Sequence, residues 1–414
     1  MKKTSDLSRL KINSKNIKEF AQAEAIPYTA EATDYYIQRL KLLADPERAI
    51  ALCKNNKIIG TTNLFSSYIS IPNDKSVKVA AVSYVSVQPT HRRKGILTEM
   101  MNIQLNEIHS KYKEPLAILW PSETAIYGRF GYAPTKEKHY KISKNNTQFK
   151  PGLTNNSLEV KFLNRNEAIN AYVEINNKLM STRPGVMKIN KKWAQRRIDD
   201  LIFKHLNSGP AYFIGIYHNK KLVGFATYSI ENNDNSYGNM PSSLYMWDII
   251  YLDLDAAISI WNFCLNIDLV EEFYANGVPE DDILEALLIS PSGLNARITT
   301  GFWIRIVDVV SAITLRSYEY TGNIVFKVKD SIIKNNNKTY ILNTNDKSNP
   351  VCEISNSKPD IEITIQGLSE IFLGTFDLNN LIASGNINIK NKKAIKIINK
   401  IFKSESQPFC PMHF

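Results

Sequence analysis

The sequence predicts an α+β chain of about three domains. Its 414 residues are too many for one ordinary core. A strand, strand, basic turn, helix, strand order in residues 57–120 is echoed by three strands and a helix in 211–270, and from about residue 293 strands mix with short helices. A hydrophobic content of 43% with 22% charged residues falls in the globular range, so disorder is not the default. The opening "MKKTSDLSRLKIN" starts with Lys2 and Lys3 with no apolar stretch behind them, and no run reaches the length of a membrane span. The expectation is a cytoplasmic protein without a membrane partner. Cys53, Cys264, Cys352 and Cys410 show neither C-x-x-C nor metal spacing, so reduced structural thiols and no metal are expected. The net charge of +11 is spread along the chain without a basic arm, zinc-finger spacing or an RNP-like motif. No nucleic-acid partner is expected, and the charge fits solubility or attraction to an anionic cofactor.

The first unit, residues 1–150, carries the strongest local pattern. "KIIGTTNLFSSYISI" (57–71) and "SVKVAAVSYVSV" (76–87) are rich in β-branched and aromatic residues around the turn-forming "PND", and they read as antiparallel strands. In "VQPTHRRKGILTEMMNIQLNEIHSKYK", Leu97, Met101, Leu105, Ile108 and Tyr112 recur at helical spacing, and "LAILW" (116–120) reads as a buried strand. Arg92, Arg93, Lys94 and Gly95 therefore open a helix. There, free N–H groups and the helix dipole attract anions, and glycine admits a close phosphate. A pyrophosphate is the natural ligand of such a turn, while a solvated basic loop is the plainer alternative.

"SETAIYGRFGY" (122–132) follows the apolar strand. Ser122 can cap a short helix, Gly128 and Gly131 permit tight backbone, and Tyr127, Phe130 and Tyr132 supply aromatic mass. Tyr127 can be core packing. Equally, a phenol at a strand end beside a cofactor turn is placed to give a proton to a leaving group. The ending "QPFCPMHF" is unusually apolar for a terminus. Phe409 and Phe414 either dock a tail onto the core or fix the terminal carboxylate as a chemical group.

The second unit, 151–292, opens within the polar "KISKNNTQFKPGLTNN" (141–156), which reads as a linker. "AYFIGIY", "LVGFATYSI" and "LYMWDIIYL" are strands and 256–270 a helix. The turn before that helix, "LDLDAA", has Asp253 and Asp255 in place of glycine and arginine, which suits capping and repels a pyrophosphate. "STRPG" (181–185) and Trp193 either line a pocket or serve core and turn roles. The third unit, 293–414, mixes "WIRIVDVV", "NIVFKVKD", "KTYILN" and "DIEITIQ" as strands with "LSEIFLG", "LNNLIAS" and "AIKIINKIF" as helices.

"VSVQPTHRRKGILTEM", "SETAIYGRFGY" and the aromatic ending together resemble the enhanced intracellular survival (Eis) family of GCN5-related N-acetyltransferases (GNAT). The likeness continues through "STRPG", "NIDLVE", "WIRIVDVVSAITLRSY" and "LGTFDLNNLIASG". The resemblance implies tandem GNAT folds, the second degenerate, followed by a sterol-carrier-protein-like domain that delivers the C-terminal carboxylate. It implies that Val85, Ser86 and Val87 contact the acetyl and pantetheine portion of acetyl-CoA, that Arg92, Arg93, Lys94, Gly95, Ile96, Leu97 and Thr98 cradle the pyrophosphate, and that Ser122 and Glu123 line the cofactor further along. Leu97 stands where the wider superfamily often has glycine or alanine. Tyr127 is implied as general acid and Phe414, through its carboxylate, as general base. The implied acceptor is an amine: an aminoglycoside, which would favour an acidic and roomy pocket, a polyamine, a lysine side chain or another small amine. A homohexamer is also implied. Two rivals stand beside this: a lipid-binding carrier, from the third unit's implied fold, and a CoA sensor without catalysis.

Overall fold

The structure, a computed structural model, describes residues 7–153, 158–204, 209–232, 242–374 and 376–414. The first residues of the opening stretch, residues 154–156 of the sequence-read linker and Thr375 lie outside them. Among the described residues, β1 (Ser8–Leu10), β2 (Ile50–Lys54), β3 (Lys57–Ile71), β4 (Lys75–Val87), β5 (Leu116–Leu119), β6 (Ala133–Ser143), β7 (Glu159–Phe162), β8 (Ala211–His218), β9 (Lys221–Asn232), β10 (Ser242–Tyr251), β11 (Val270–Pro279) and β12 (Arg297–Ile306) form one sheet. Its order is β1-β2-β3-β4-β5-β12-β6-β11-β10-β9-β8-β7. β4 and β5 are parallel, as are β10 and β11, and the other pairs are antiparallel.

The sheet is two similar halves joined at the middle. In each, antiparallel strands lead to a helical crossover and a parallel strand, because parallel neighbours cannot be joined by a tight turn. The closing strands are exchanged: β12, late in the chain, pairs with β5 of the first half, and β6 pairs with β11 of the second. This differs from the sequence reading, in which the third unit opens at 293 with "WIRIVDVV" as one of its strands. Arg297–Ile306 instead belongs to the large sheet, because its run of buried residues from Gly301 onward fills the gap between β5 and β6. The stretch read as a linker is also partly regular, since Lys141–Ser143 completes β6 and Phe149 bridges to Leu288.

Helices cover the sheet. α1 (Ile17–Ala25), α2 (Asp34–Leu43), α3 (Ile96–Glu107) and the single-turn α4 (Thr124–Tyr127) belong to the first half; α5 (Arg165–Leu179), α6 (Lys191–Lys204), α7 (Leu254–Leu265) and the short α8 (Leu284–Leu287) belong to the second. α3 buries Met101 and Leu105 as the spacing predicts and continues into a wider turn over Ile108–Tyr112. α7 begins where Asp253 accepts a hydrogen bond from the Ala256 amide at 2.8 Å, a cap worth about 1 kcal/mol. It stops at Leu265, earlier than the helix read to residue 270. The chain turns through Leu269 at φ +63° and enters β11, a strand the sequence reading did not separate.

The third unit has its own sheet, ordered β15-β14-β13-β16-β17 from β13 (Asn323–Lys329), β14 (Thr339–Asn343), β15 (Val351–Ile354), β16 (Ile361–Thr364) and β17 (Ile387–Ile389). α9 (Val309–Leu315), α10 (Ile365–Phe372), α11 (Leu378–Ala383) and α12 (Lys393–Ile401) surround it. Arg305 of β12 joins this unit to the large sheet. Fully buried, it pairs through Nη2 with both oxygens of Asp330 at 2.9 Å and donates from Nε to the Phe130 carbonyl at 2.6 Å. A buried pair of this kind is strongly destabilising to break, because either partner alone is an uncompensated charge.

Candidate active site

The site begins where β4 and β5 part. Their parallel pairing covers Val79–Val82 against Leu116–Leu119, after which Ser83–Val87 runs on while Trp120 and Pro121 turn away. Ligands of α/β sheets bind in crevices of this kind, beyond the carboxyl ends of parallel strands. β4 also carries an extra residue against β3, since Asn63 pairs with Ser83 but Thr61 with Ser86. The bulge is taken up at Tyr84, whose φ is +54°, and is pinned by the Thr61 hydroxyl, which donates to the Tyr84 carbonyl at 3.0 Å. A bulge re-aims backbone groups. Here it presents the Val85 carbonyl to the cavity side, where the Tyr28 hydroxyl donates to it at 2.7 Å. Ser86 turns inward to the Thr61 hydroxyl at 2.8 Å, so only its backbone is available to a ligand; Val87 ends the strand.

The basic turn follows. Gly95 is the N-cap of α3 with φ +84°, and a Cβ there would meet no neighbouring atom, so the conformation and not crowding favours glycine. The first helical bond runs from the Glu99 amide to the Gly95 carbonyl, which leaves the amides of Ile96, Leu97 and Thr98 without partners inside the helix. Arg92, Arg93 and Lys94 are exposed, with Arg92 tied to the Pro27 carbonyl and Lys94 to that of Thr90. Ile96 is buried beneath the turn, and Leu97 and Thr98 are half-buried. This donor set, cationic and rich in free amides, fits a pyrophosphate.

Tyr127 projects from α4 and is 4% exposed. Burial, more than the neighbouring Tyr28 and Glu123, pushes its phenol above the ordinary range, with Ser122 partly offsetting this. At neutral pH it therefore holds its proton. Ser122 does not cap α4: Glu123 occupies the N-cap without a side-chain bond, and Ser122 lies beside the phenols of both Tyr28 and Tyr127. The loop behind is rigid. Gly131 adopts φ +85°, and a Cβ there would approach Ile365 of α10 to 2.6 Å and Arg305 to 3.1 Å, so the third unit supports the turn that carries Tyr127.

The tail enters the same cavity. Its carbonyls are caught in turn: Gln407 by Arg183 at 2.8 Å, Pro411 by Tyr172 at 3.2 Å, Met412 by the Trp120 indole at 3.0 Å and His413 by Arg196 at 3.3 Å. Ordering each residue costs about 1–2 kcal/mol, whereas each such bond contributes about 1 kcal/mol, so hydrogen bonds alone do not hold it. Burial of Phe409, Met412 and Phe414, each worth about 2–3 kcal/mol, makes the difference. An edge-to-face series of rings, Tyr84 to Phe65 to Trp193 to Phe414, sets the last side chain. Trp193 thus backs Phe414, and "STRPG" holds the tail. The Pro184 carbonyl accepts from the Phe409 amide at 3.0 Å.

Tyr127 and Phe414 consequently line one cavity of about 360 Å³, together with Val85, Trp120 and Ser122. Its lining is polar in a way the sequence reading missed. Glu24 of α1, Arg39 of α2, Tyr84 of β4 and Arg196 of α6 meet there. Glu24 had a legible signal: it falls on the apolar face defined by Ile17, Phe20 and Ala21. No group of three or more His, Cys, Asp or Glu among the described residues is arranged to hold a metal, and no helix among them is long and apolar enough to cross a membrane.

The family described as an acetyltransferase (GNAT) domain matches residues 10–135, a second GNAT acetyltransferase family matches 185–306, and a sterol carrier protein domain matches 309–411. An uncharacterized N-acetyltransferase of Streptomyces avermitilis is 26% identical over 373 residues, 90% of each chain. The N-acetyltransferase Eis of Mycobacterium tuberculosis is 22% identical over 363 residues, 84% of each. The chain is an Eis-like GNAT N-acetyltransferase. Its fold matches the crystal structure of Eis1 from Mycobacterium abscessus with a TM-score of 0.84 at 22% identity, over 99% of this chain and 100% of that one. A GCN5-related N-acetyltransferase of Anabaena variabilis also gives 0.84, at 19% identity over 99% and 100%. Two GNAT domains followed by a sterol-carrier-like domain are thus the architecture of this Eis-like enzyme, and GNAT acetyltransferases use acetyl-CoA.

Proposed function

We propose that this chain transfers an acetyl group from acetyl-CoA directly to an amine, with Tyr127 as general acid and the carboxylate of Phe414 as general base. The observation that carries this is the meeting of Tyr127 and Phe414 in one cavity at the mouth of the β4/β5 crevice. The co-substrate supplies an activated thioester. The backbone of Val85, Ser86 and Val87, the turn from Arg92 to Thr98, and Ser122 with Glu123 would hold it. An alkylammonium has a pKa near ~10 and cannot attack until it loses a proton, and a carboxylate in an aromatic surround is a stronger base than in water. The Phe414 carboxylate takes that proton, directly or through water. As the C–N bond forms and the C–S bond breaks, Tyr127 gives its proton to the departing sulfur. The second GNAT domain binds no CoA in this reading, because the Asp253 carboxylate fills the helix start that the first domain leaves open. A cytoplasmic homohexamer completes the proposal; a monomer by light scattering would remove that part.

The test is thiol release from acetyl-CoA against a panel of amines, with Tyr127→Phe and a variant extended beyond Phe414 run alongside. Loss of proton donation is expected to lower kcat about 10²–10⁴-fold while acetyl-CoA still binds. Unchanged turnover in Tyr127→Phe would remove the acid, and unchanged turnover in the extended variant would reduce the tail to packing.

A further inference from the structure

We infer that the amine acetylated by this chain also carries an anionic oxygen group, a carboxylate or a phosphate, that docks against Arg39 and Arg196 in the cavity. The inference rests on the transferase reading and names its acceptor class. Both arginines line the cavity with Phe414. Among the described residues they share one carboxylate at ion-pair distance, Asp200, at 3.4 Å from Arg39 Nη1 and 3.7 Å from Arg196 Nε, and the Tyr35 hydroxyl also donates to it at 2.9 Å. One acid thus serves two guanidinium groups and a phenol. The Nε of Arg196 has only that longer approach to Asp200 and no hydrogen bond, and the hydroxyl of Tyr84, a residue only 7% exposed that lines the same space, has no hydrogen bond either. These orphans are an N–H and an O–H, and buried donors call for acceptor atoms. A ligand bringing oxygens of negative charge balances the second guanidinium and brings an acceptor toward the Tyr84 hydroxyl.

The acidic groups do not reverse this. Among the described residues, Glu24 is the one Asp or Glu side chain in the lining, and it already accepts the Tyr36 hydroxyl. Burial outweighs Arg39 and Arg196 and moves its carboxyl up to about 7, so near neutrality much of it carries no charge. The Phe414 carboxylate is committed to the reacting amine. A polycation would set its remaining charges against two guanidiniums, which speaks against the acidic pocket an aminoglycoside would favour.

The experiment measures kcat/KM for amines matched in pairs: phenylalanine with 2-phenylethylamine, phosphoethanolamine with ethanolamine, and glucosamine 6-phosphate with glucosamine. Kanamycin and spermidine stand as polycations. The anionic member of at least one pair is expected to lead by about tenfold or more, through KM, as a charge-assisted bond allows. The carboxylate and phosphate pairs tell the two sources apart. Arg39→Met should abolish the lead, Arg39→Lys should restore part of it, and Tyr84→Phe, which keeps the ring, should reduce it if the arginine variants do not fold. Equal rates within every pair, or preference for the polycations, overturns the inference. Thermal stabilisation by the same compounds separates the two readings. Stabilisation by anionic members that needs Arg39, without turnover of any amine, keeps the docking site and removes the transferase reading; neither turnover nor stabilisation overturns the inference.

Discussion

Glu24 shows how one side chain on the wrong face of a helix can reveal a site. It is 4% exposed, and with its carboxyl moved from 4.5 to about 7 it is disfavoured in its charged form. The sign of the stability effect follows. Between those values the unfolded chain has released the proton and the folded one has not, so stability falls as pH rises, by about 1.4 kcal/mol per unit at most. Above about 7 the full cost is present. Glu24→Gln escapes it, so its stability relative to the wild type should rise between pH 5 and pH 8 by an amount on the order of 2–3 kcal/mol. Urea denaturation at the two pH values measures this, and a relative loss at pH 8 would show that the ionised carboxylate is instead stabilised by Arg39 and Arg196. At this scale the sequence marked out Tyr127, Phe414 and the turn from Arg92 to Thr98, because spacing and a family likeness reach residues close in the chain or repeated in motif. It did not mark out Arg39, Tyr84 or Arg196. Nothing local distinguishes an arginine on α2 from one on α6, and only the packing of α2 against α6 brings both to Asp200.

The elements that hold the tail lie far from it in sequence. Arg183 donates through Nη1 to the Gln407 carbonyl and to Asp281, while Asp281 accepts the Gln407 amide at 3.1 Å, so the segment is gripped from both sides where it leaves the third domain. Arg183→Ala removes that grip without touching the cavity. Hydrogen exchange over residues 405–414 is expected to rise and kcat to fall by about tenfold or more, since small misplacements of a catalytic group are costly, with KM for acetyl-CoA unchanged. If exchange rises and kcat does not fall, the last residue is not part of the chemistry. Regular strands were the most legible elements: 57–71 is β3 as read, and "AYFIGIY" lies within β8. Such runs carry a period-2 or wholly buried pattern that needs no tertiary information. The end of α7 was less legible. In "LNIDLVE" Leu265 and Leu269 stand four residues apart as in a helix, while the turn at Leu269 depends on β11 pairing with β10.

The exchange of closing strands makes the two GNAT halves one folding unit, a feature that no window of the sequence can show. β6 pairs only with β11 and β12 among the described residues, and β5 meets β12 on the side away from β4. A boundary near residue 150, sound by composition, therefore cuts through a sheet. The fragment 1–150 keeps Tyr127 and the whole basic turn, yet β6 has no strand beside it and the apolar edge of β5 lies open. Edges of that kind promote aggregation. The chain through Ile306 restores both partners and should give a folded product, weakened where Arg305 loses Asp330 and lacking the tail. The expected outcome is that 1–150 is insoluble or lacks a cooperative unfolding transition, while 1–306 unfolds cooperatively by circular dichroism. A dispersed amide spectrum and a sharp transition for 1–150 alone would mean that the first half closes its sheet without β12. The exchange would then join two domains already formed and would not complete them.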